Sequence, residues 1–185
     1  MSESFTLFET PIGTGGIAWT ERGVVGVQLP ELDPLRVRAR LRRRFPAAVE
    51  SPPSPEIRQV IEAMAALLRA EPADLSRVQL DMHNVPAFDR QVYQATRVLA
   101  AGQTASYGQI ATRLGDPRLA REVGQVLARN PFPIIVPCHR VIAAGGKLGG
   151  FSARGGLTTK QRLLDIERAN VGWQLPLQPD LLPRR

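Results

Sequence analysis

Cys138, the chain's one cysteine, closes the apolar run Phe132-Pro133-Ile134-Ile135-Val136-Pro137 and is followed directly by His139 and Arg140. A thiol is a poor nucleophile until it ionises, and a nearby imidazole, guanidinium or helix N-terminus makes ionisation easier. His139 and Arg140 supply the first two influences locally. Read blandly, Cys138 is an inert buried thiol ending a core strand, as most lone cysteines in apolar runs are. Geometry separates the two readings. In an extended strand Cys138 and His139 would point to opposite faces, so cooperation requires a tight turn, and Pro137 is placed to end the strand just before them. Upstream, Asn130-Pro131 marks a turn whose amide either ties two backbone segments together or simply caps a helix. Downstream, Gly145-Gly146, Gly149-Gly150 and Gly155-Gly156 flank Phe151, which gives a loop where a planar ligand lies on the ring, or an ordinary hairpin and linker. Glu167 falls one turn beyond Leu163 and Leu164 on a helix expected over 158–168, where a glutamate is usually solvated.

The elements that must position these residues follow from periodicity. Strands are expected over 4–10, 15–19 and 24–29, separated by the turn signals Pro11-Ile12-Gly13 and Glu21-Arg22-Gly23, as an antiparallel meander. Val37, Leu41 and Phe45 form one apolar stripe of a helix over 34–45 amid Arg36, Arg38, Arg40, Arg42, Arg43 and Arg44, a solvated face or else a phosphate or partner surface. A second helix is expected over 55–70, with Ile57, Ile61, Met64 and Leu68 on one face, and a short strand over 77–82. From Pro86 onward the pattern turns helical, beginning with Phe88, Val92, Ala95 and Leu99. Ser106 can cap a helix running to Leu114, Gly115-Asp116-Pro117 ends it, and a second helix is expected from Pro117 to about Arg129. Packing of Ile110, Leu114, Val123 and Leu127 would leave Arg118, Arg121, Gln125 and Arg129 on other faces, as a DNA-reading helix-turn-helix requires. Such helix pairs also occur in proteins that never touch DNA. The expected units are 1–85, 86–173 and a proline-containing tail, 174–185.

The chain has 185 residues and a formal charge of +7. Up to Leu80 it carries ten basic and ten acidic residues, and beyond Leu80 fourteen and seven, so the positive excess lies downstream. That distribution suits a polyanionic partner, with nucleic acid first among candidates. No segment reaches the roughly 20 apolar residues of a membrane span, and the N-terminus lacks a signal-peptide pattern, so a cytoplasmic protein is expected. One cysteine excludes an intramolecular disulfide, and with only His83 and His139 beside it no structural metal is expected.

Pro137-Cys138-His139-Arg140-Val141, preceded by Arg121-Glu122-Val123-Gly124 and Asn130-Pro131 and followed by Gly155-Gly156-Leu157, Lys160, Leu163-Leu164 and Glu167, closely resembles the O6-alkylguanine-DNA alkyltransferases. The likeness covers roughly 86–167. It implies an α+β chain: a small N-terminal sheet-and-helix domain, ribonuclease H-like, then an all-α domain with a winged-helix-like helix-turn-helix. The implied activity is a single, irreversible transfer of an alkyl group from O6 of guanine in duplex DNA to Cys138, with O4 of thymine an alternative substrate atom and no cofactor. His139 would be the base, through a water, and Glu167 would orient it. Asn130 would brace the turn. Tyr107 would protonate the leaving guanine and crowd the phosphate so that the nucleotide rotates outward. Arg121 would fill the gap in the base stack, with the recognition helix in the minor groove and Arg118, Ser106 and Arg129 also on DNA. The carbonyls of Cys138 and Val141 would accept from the guanine amino group, and Pro133, Val141, Phe151 and Ser152 would line the alkyl pocket. The resemblance further implies a monomer in solution, with contacts between molecules on DNA as a second partner surface. Two departures stand out. Phe151-Ser152-Ala153-Arg154-Gly155-Gly156 is two residues longer than in some relatives and begins with Phe where Tyr is common, and the sequence has no further cysteines for the methyl-acceptor domain fused in some bacterial relatives.

Overall fold

The computed structural model describes residues 2–153 and 155–171, so the tail expected over 174–185, like Arg154, lies outside the described residues. Strands β1 (Ser4–Thr10), β2 (Gly13–Thr20) and β3 (Gly23–Glu31) form the expected antiparallel meander, and the two-residue β4 (Val49–Glu50) adds in parallel to β1, giving the order β3-β2-β1-β4. Alternation along the strands divides the sheet's two faces. Phe5 and Ala18, paired across β1 and β2, are buried under Val37 and Leu41 of helix α1 (Pro34–Arg44). Ile17 and Val27, paired across β2 and β3, face the larger core.

Helices start where the sequence supplies caps. Asp33 accepts from the Leu35 amide and Pro34 occupies the first position of α1; Ser54 and Pro55 repeat the device for α2 (Pro55–Leu68). Both helices stop short of expectation, at Arg44 and Leu68, and Ala70 turns left-handed beyond the second. The strand expected over 77–82 is only a single bridge of Leu80 to Val24. Arg97 Nη2 donates to the carbonyls of Leu75, Ser76 and Val78, which leaves this stretch folded around a guanidinium instead of laddered.

The second half holds α3 (Ala87–Arg97), β5 (Ala105–Ser106), α4 (Tyr107–Arg113), α5 (Ala120–Ala128), β6 (Val141–Ile142) and α6 (Gly156–Val171). It is not all-α: β5 and β6 form a short parallel ladder. The second helix of the expected pair is also divided, into a 3-10 turn Pro117–Leu119 capped by Asp116 and then α5, because the Asp116 carboxylate takes the Arg118 amide. Ile110, Val123, Val126 and Leu127 are buried between α4 and α5, and Leu114 packs at the edge. One apolar cluster runs from Ile17 and Val27 through Met64 and Tyr93 to Val123, Val136 and Leu163, so the sheet and the helices of the second half share a core. At roughly 1.5–3 kcal/mol for each fully buried large apolar side chain, this shared core is the main force fixing the two halves together. Among the described residues no helix is long and apolar enough to cross a membrane.

Candidate active site

The segment after α5 is a braced reversal. Asn130 Nδ2 donates to Val136 O at 2.9 Å while its Oδ1 accepts from the Phe132 amide at 2.9 Å. Val136 O also takes the Cys138 amide at 2.8 Å. Between these bonds Ile134 is buried with φ at 75°, a conformation a β-branched residue rarely adopts. The chain then turns as the sequence reading required, because Cys138–Arg140 is a 3-10 turn and not an extended strand. Asn130 is thus a brace and not merely a cap.

His139 and Glu167, 28 positions apart, meet at the turn: His139 Nε2 lies 2.8 Å from Glu167 Oε1, and both side chains are buried. Glu167 is held well below the ordinary carboxylate range, at about 2; burial opposes ionisation, but the charge and hydrogen bonds of His139 and Arg140 outweigh it. An ionised carboxylate can only accept, so Nε2 carries the proton and Nδ1 keeps its lone pair. That Nδ1 is buried and has no hydrogen-bond partner among the described residues. Burial pushes the imidazole below its usual pKa, against the pull of Glu167, which keeps it neutral and able to act as a base.

Arg140 departs from the sequence reading. Its guanidinium faces away from the thiol's service, donating to both Glu167 oxygens at 2.7 to 3.0 Å and to Leu99 O. The cation that acts on Cys138 is Lys160. Burial raises the thiol's pKa, while the Asn130 amide and the Lys160 charge work in the opposite direction. Lys160 is fully buried, donates to Val141 O at 2.6 Å, lies 5.8 and 5.9 Å from the Tyr107 and Phe151 ring centroids, and has its pKa lowered to about 8, chiefly by burial. A signal for it existed: Lys160, Leu163, Leu164 and Glu167 share one helical face, so the lysine sits on the inner stripe.

Tyr107 opens α4, directly after Ser106, whose side chain caps the helix in a reciprocal box with Gln109. The ring is hemmed in by Gly149, where an added Cβ would lie 3.1 Å from it, and its hydroxyl donates to Gly150 O at 3.4 Å. Burial, and then the Cys138 charge, raise its pKa, so it remains a neutral phenol with a proton to give. Half-buried Phe151 and buried Val141 both meet Lys160 in this cluster, and Pro133 is half-buried. Ser152 is placed differently: it is exposed, and its hydroxyl donates to Ala128 O, tying the glycine loop to the end of α5. The two carbonyls expected to face a base already have one donor each, Val141 N–H on Cys138 O and Lys160 on Val141 O, which leaves each a second lone pair.

On the outer surface Arg121 and Gln125 are exposed, and Arg121 has no ion-pair partner among the described residues. Arg118 is folded back on Asp116 at 2.8 Å, exposed and available to rearrange. Arg129 is more committed, making two 2.9 Å bonds to the buried Asp89, a pair that sequence reading missed because the partners lie on different helices. Among the described residues no three His, Cys, Asp or Glu side chains cluster to hold a metal ion.

A thiol on a braced turn, a neutral imidazole oriented by a carboxylate, and an adjoining helix pair with an exposed arginine fit a thiol-based transferase built against a helix-turn-helix. Comparison with known proteins agrees. The sequence profile of the 6-O-methylguanine DNA methyltransferase DNA binding domain matches residues 87–169. The chain is 33% identical over 183 residues to the methylated-DNA-protein-cysteine methyltransferase of Rattus norvegicus, covering 91% of this chain and 83% of that protein. It is 34% identical over 166 residues to the bifunctional transcriptional activator/DNA repair enzyme Ada of Escherichia coli, covering 90% of this chain and 46% of that protein, so it spans about half of that relative's length. The fold matches the crystal structure of Mycobacterium tuberculosis OGT in complex with DNA with a TM-score of 0.73 and 30% identity, over 90% of this chain and 94% of that one. The chain belongs to the methylated-DNA-protein-cysteine methyltransferase family, and its α+β fold of a small sheet with helices is the fold of that family's solved structures.

Proposed function

We propose that this chain repairs alkylated DNA directly, by moving an alkyl group from O6 of guanine in duplex DNA onto Cys138. The observation that carries the reading is the His139–Glu167 contact beside a buried cysteine, with the unpartnered Nδ1 left as the base. His139 Nδ1 takes the thiol proton through a water, and Glu167 stabilises the resulting imidazolium. The thiolate attacks the alkyl carbon in line; the new S–C bond forms as the C–O6 bond breaks, and the bonding pair leaves with guanine. Tyr107 supplies a proton as negative charge develops on the base, and the proton held by His139 returns through solvent to the phenolate. A thioether is not hydrolysed by any group here, so each molecule acts once and needs no cofactor.

The target base must leave the stack to reach a buried thiol, and Arg121 is placed to fill the vacancy from α5, at a cost of a few kcal/mol that its insertion offsets. Arg118 can reach a phosphate once it releases Asp116, and Ser106 presents Tyr107 more than it contacts DNA. Arg129 serves the fold first. Pro133, Val141 and Phe151 wall the alkyl pocket. We further assign 1–85 as a ribonuclease H-like unit and 86–173 as a winged-helix-like DNA-binding and catalytic unit, in a cytoplasmic protein, monomeric in solution and able to contact its copies along DNA.

The test is peptide mapping after reaction with a duplex containing O6-methylguanine. The tryptic peptide spanning 130–140 should gain one methylene, about 14 Da, on Cys138. Methylation at another residue would overturn the assignment of the nucleophile.

A further inference from the structure

The carbonyl of Pro131, within the braced segment that leads to Cys138, accepts from two donors of the first half. The Val27 amide of β3 reaches it at 2.9 Å and Arg44 Nη2, from the last turn of α1, at 3.1 Å. The same guanidinium donates to Val27 O at 3.3 Å through Nη1. Its seat is built: the guanidinium carbon stands 5.0 Å from the Phe45 ring centroid, and a Cβ added at Gly26 would come within 3.2 Å of that carbon and 2.5 Å of the ring. A residue larger than glycine at position 26 would push the arginine off.

The basic end of α1 has an ordinary explanation, since cations near a helix C-terminus offset its dipole. All three arginines are exposed, but Arg42 lies 3.7 Å from Glu50 and Arg43 has no ion-pair partner among the described residues. Arg44 alone of the three crosses to the other half. From Pro131 the restraint continues through bonds already described: Asn130 and Phe132 flank it, Asn130 holds Val136 O, and Val136 O holds the Cys138 amide.

We infer that Arg44 is a positioning residue for the alkyl transfer, a charged clamp by which the N-terminal half fixes the turn carrying Cys138. The inference rests on the transfer reading above. Its effect belongs on the rate of the chemical step and not on DNA binding, because small misplacement of a nucleophile slows in-line attack while leaving the DNA surface intact.

Arg44→Met keeps the aliphatic stem and removes the donors; Arg44→Lys restores one; Arg43→Met is the control. With O6-methylguanine duplex in single-turnover assays, Arg44→Met should lower the maximal rate roughly tenfold and leave the half-saturating DNA concentration within about twofold. Arg44→Lys should recover part of the loss, and Arg43→Met should match the parent. Amide hydrogen exchange of the 130–140 segment should accelerate in Arg44→Met alone. An unchanged rate and unchanged exchange in Arg44→Met would overturn the clamp, as would a loss confined to DNA affinity and shared with Arg43→Met. If the parent protein transfers no methyl group, the transfer reading fails, while exchange at 130–140 still decides whether Arg44 restrains the turn.

Discussion

The proposed base, His139, has one ring nitrogen held by Glu167 and the other buried without a partner among the described residues. Replacing His139 with Gln removes the base but leaves the Arg140–Glu167 pair intact, so the maximal transfer rate should fall roughly 100-fold with the melting temperature little changed. Glu167→Gln should lose a similar factor and also melt lower, because Arg140 keeps a buried charge without a carboxylate. The two rate losses should not multiply in the double variant, since the residues act as one unit. Single-turnover rates and melting curves of the three variants check this, and fully multiplicative losses would contradict the relay. At this scale the sequence was informative about Cys138, His139, Asn130 and Glu167, which stand in one recognisable pattern. It misdirected on Arg140, whose nearness in the chain to Cys138 says nothing of where a long side chain reaches. Lys160 stood in the same pattern, but without any role attached to it.

Between α4 and α5 the geometry separates three arginines that look alike in the sequence. Arg121 is exposed without an ion-pair partner among the described residues, Arg118 is hydrogen-bonded at the surface, and Arg129 is tied to a buried carboxylate. Arg121→Ala should reduce transfer from duplex DNA at sub-saturating concentration by tenfold or more, because the flipped state loses its filler. Arg118→Ala should cost only about two- to threefold, from a single phosphate contact screened by salt. Equal effects would show that both merely add charge. The elements were largely readable: apolar spacing marked both N-terminal helices, and turn signals marked the meander. What escaped were features set by distant partners. Arg97 gathers the carbonyls of Leu75, Ser76 and Val78 and replaces the strand expected there, and the β5–β6 ladder joins residues 36 positions apart, Ala105 and Val141.

At the level of the whole molecule, the shared core makes the site's electrostatics part of the fold's stability. Glu167 titrates near 2 in the folded chain against an ordinary 4.5, so its contribution is present above pH 4.5 and is lost as pH falls towards 2. His139, held neutral below its ordinary 6.5, adds a second loss, since below pH 6.5 the unfolded chain takes up a proton that the folded one resists. Urea midpoints should therefore fall as pH drops below 6.5 and fall further below 4.5, and the first decline should vanish in His139→Gln. A parent midpoint flat from pH 7 to 5 would contradict the buried neutral imidazole. The unequal charge of the two halves was visible in composition, but composition did not reveal that many arginines of the first half are neutralised locally, Arg38 by Glu50 and Arg40 by Glu31.

The most direct measurement is the intact mass of the protein after incubation with an excess of duplex carrying O6-methylguanine, beside undamaged duplex and a Cys138→Ala variant. The parent should gain one methylene, about 14 Da, with damaged DNA only, reaching one equivalent per chain and stopping there. No gain in mass, or repair that continues past one equivalent of DNA per protein, would contradict single transfer to Cys138.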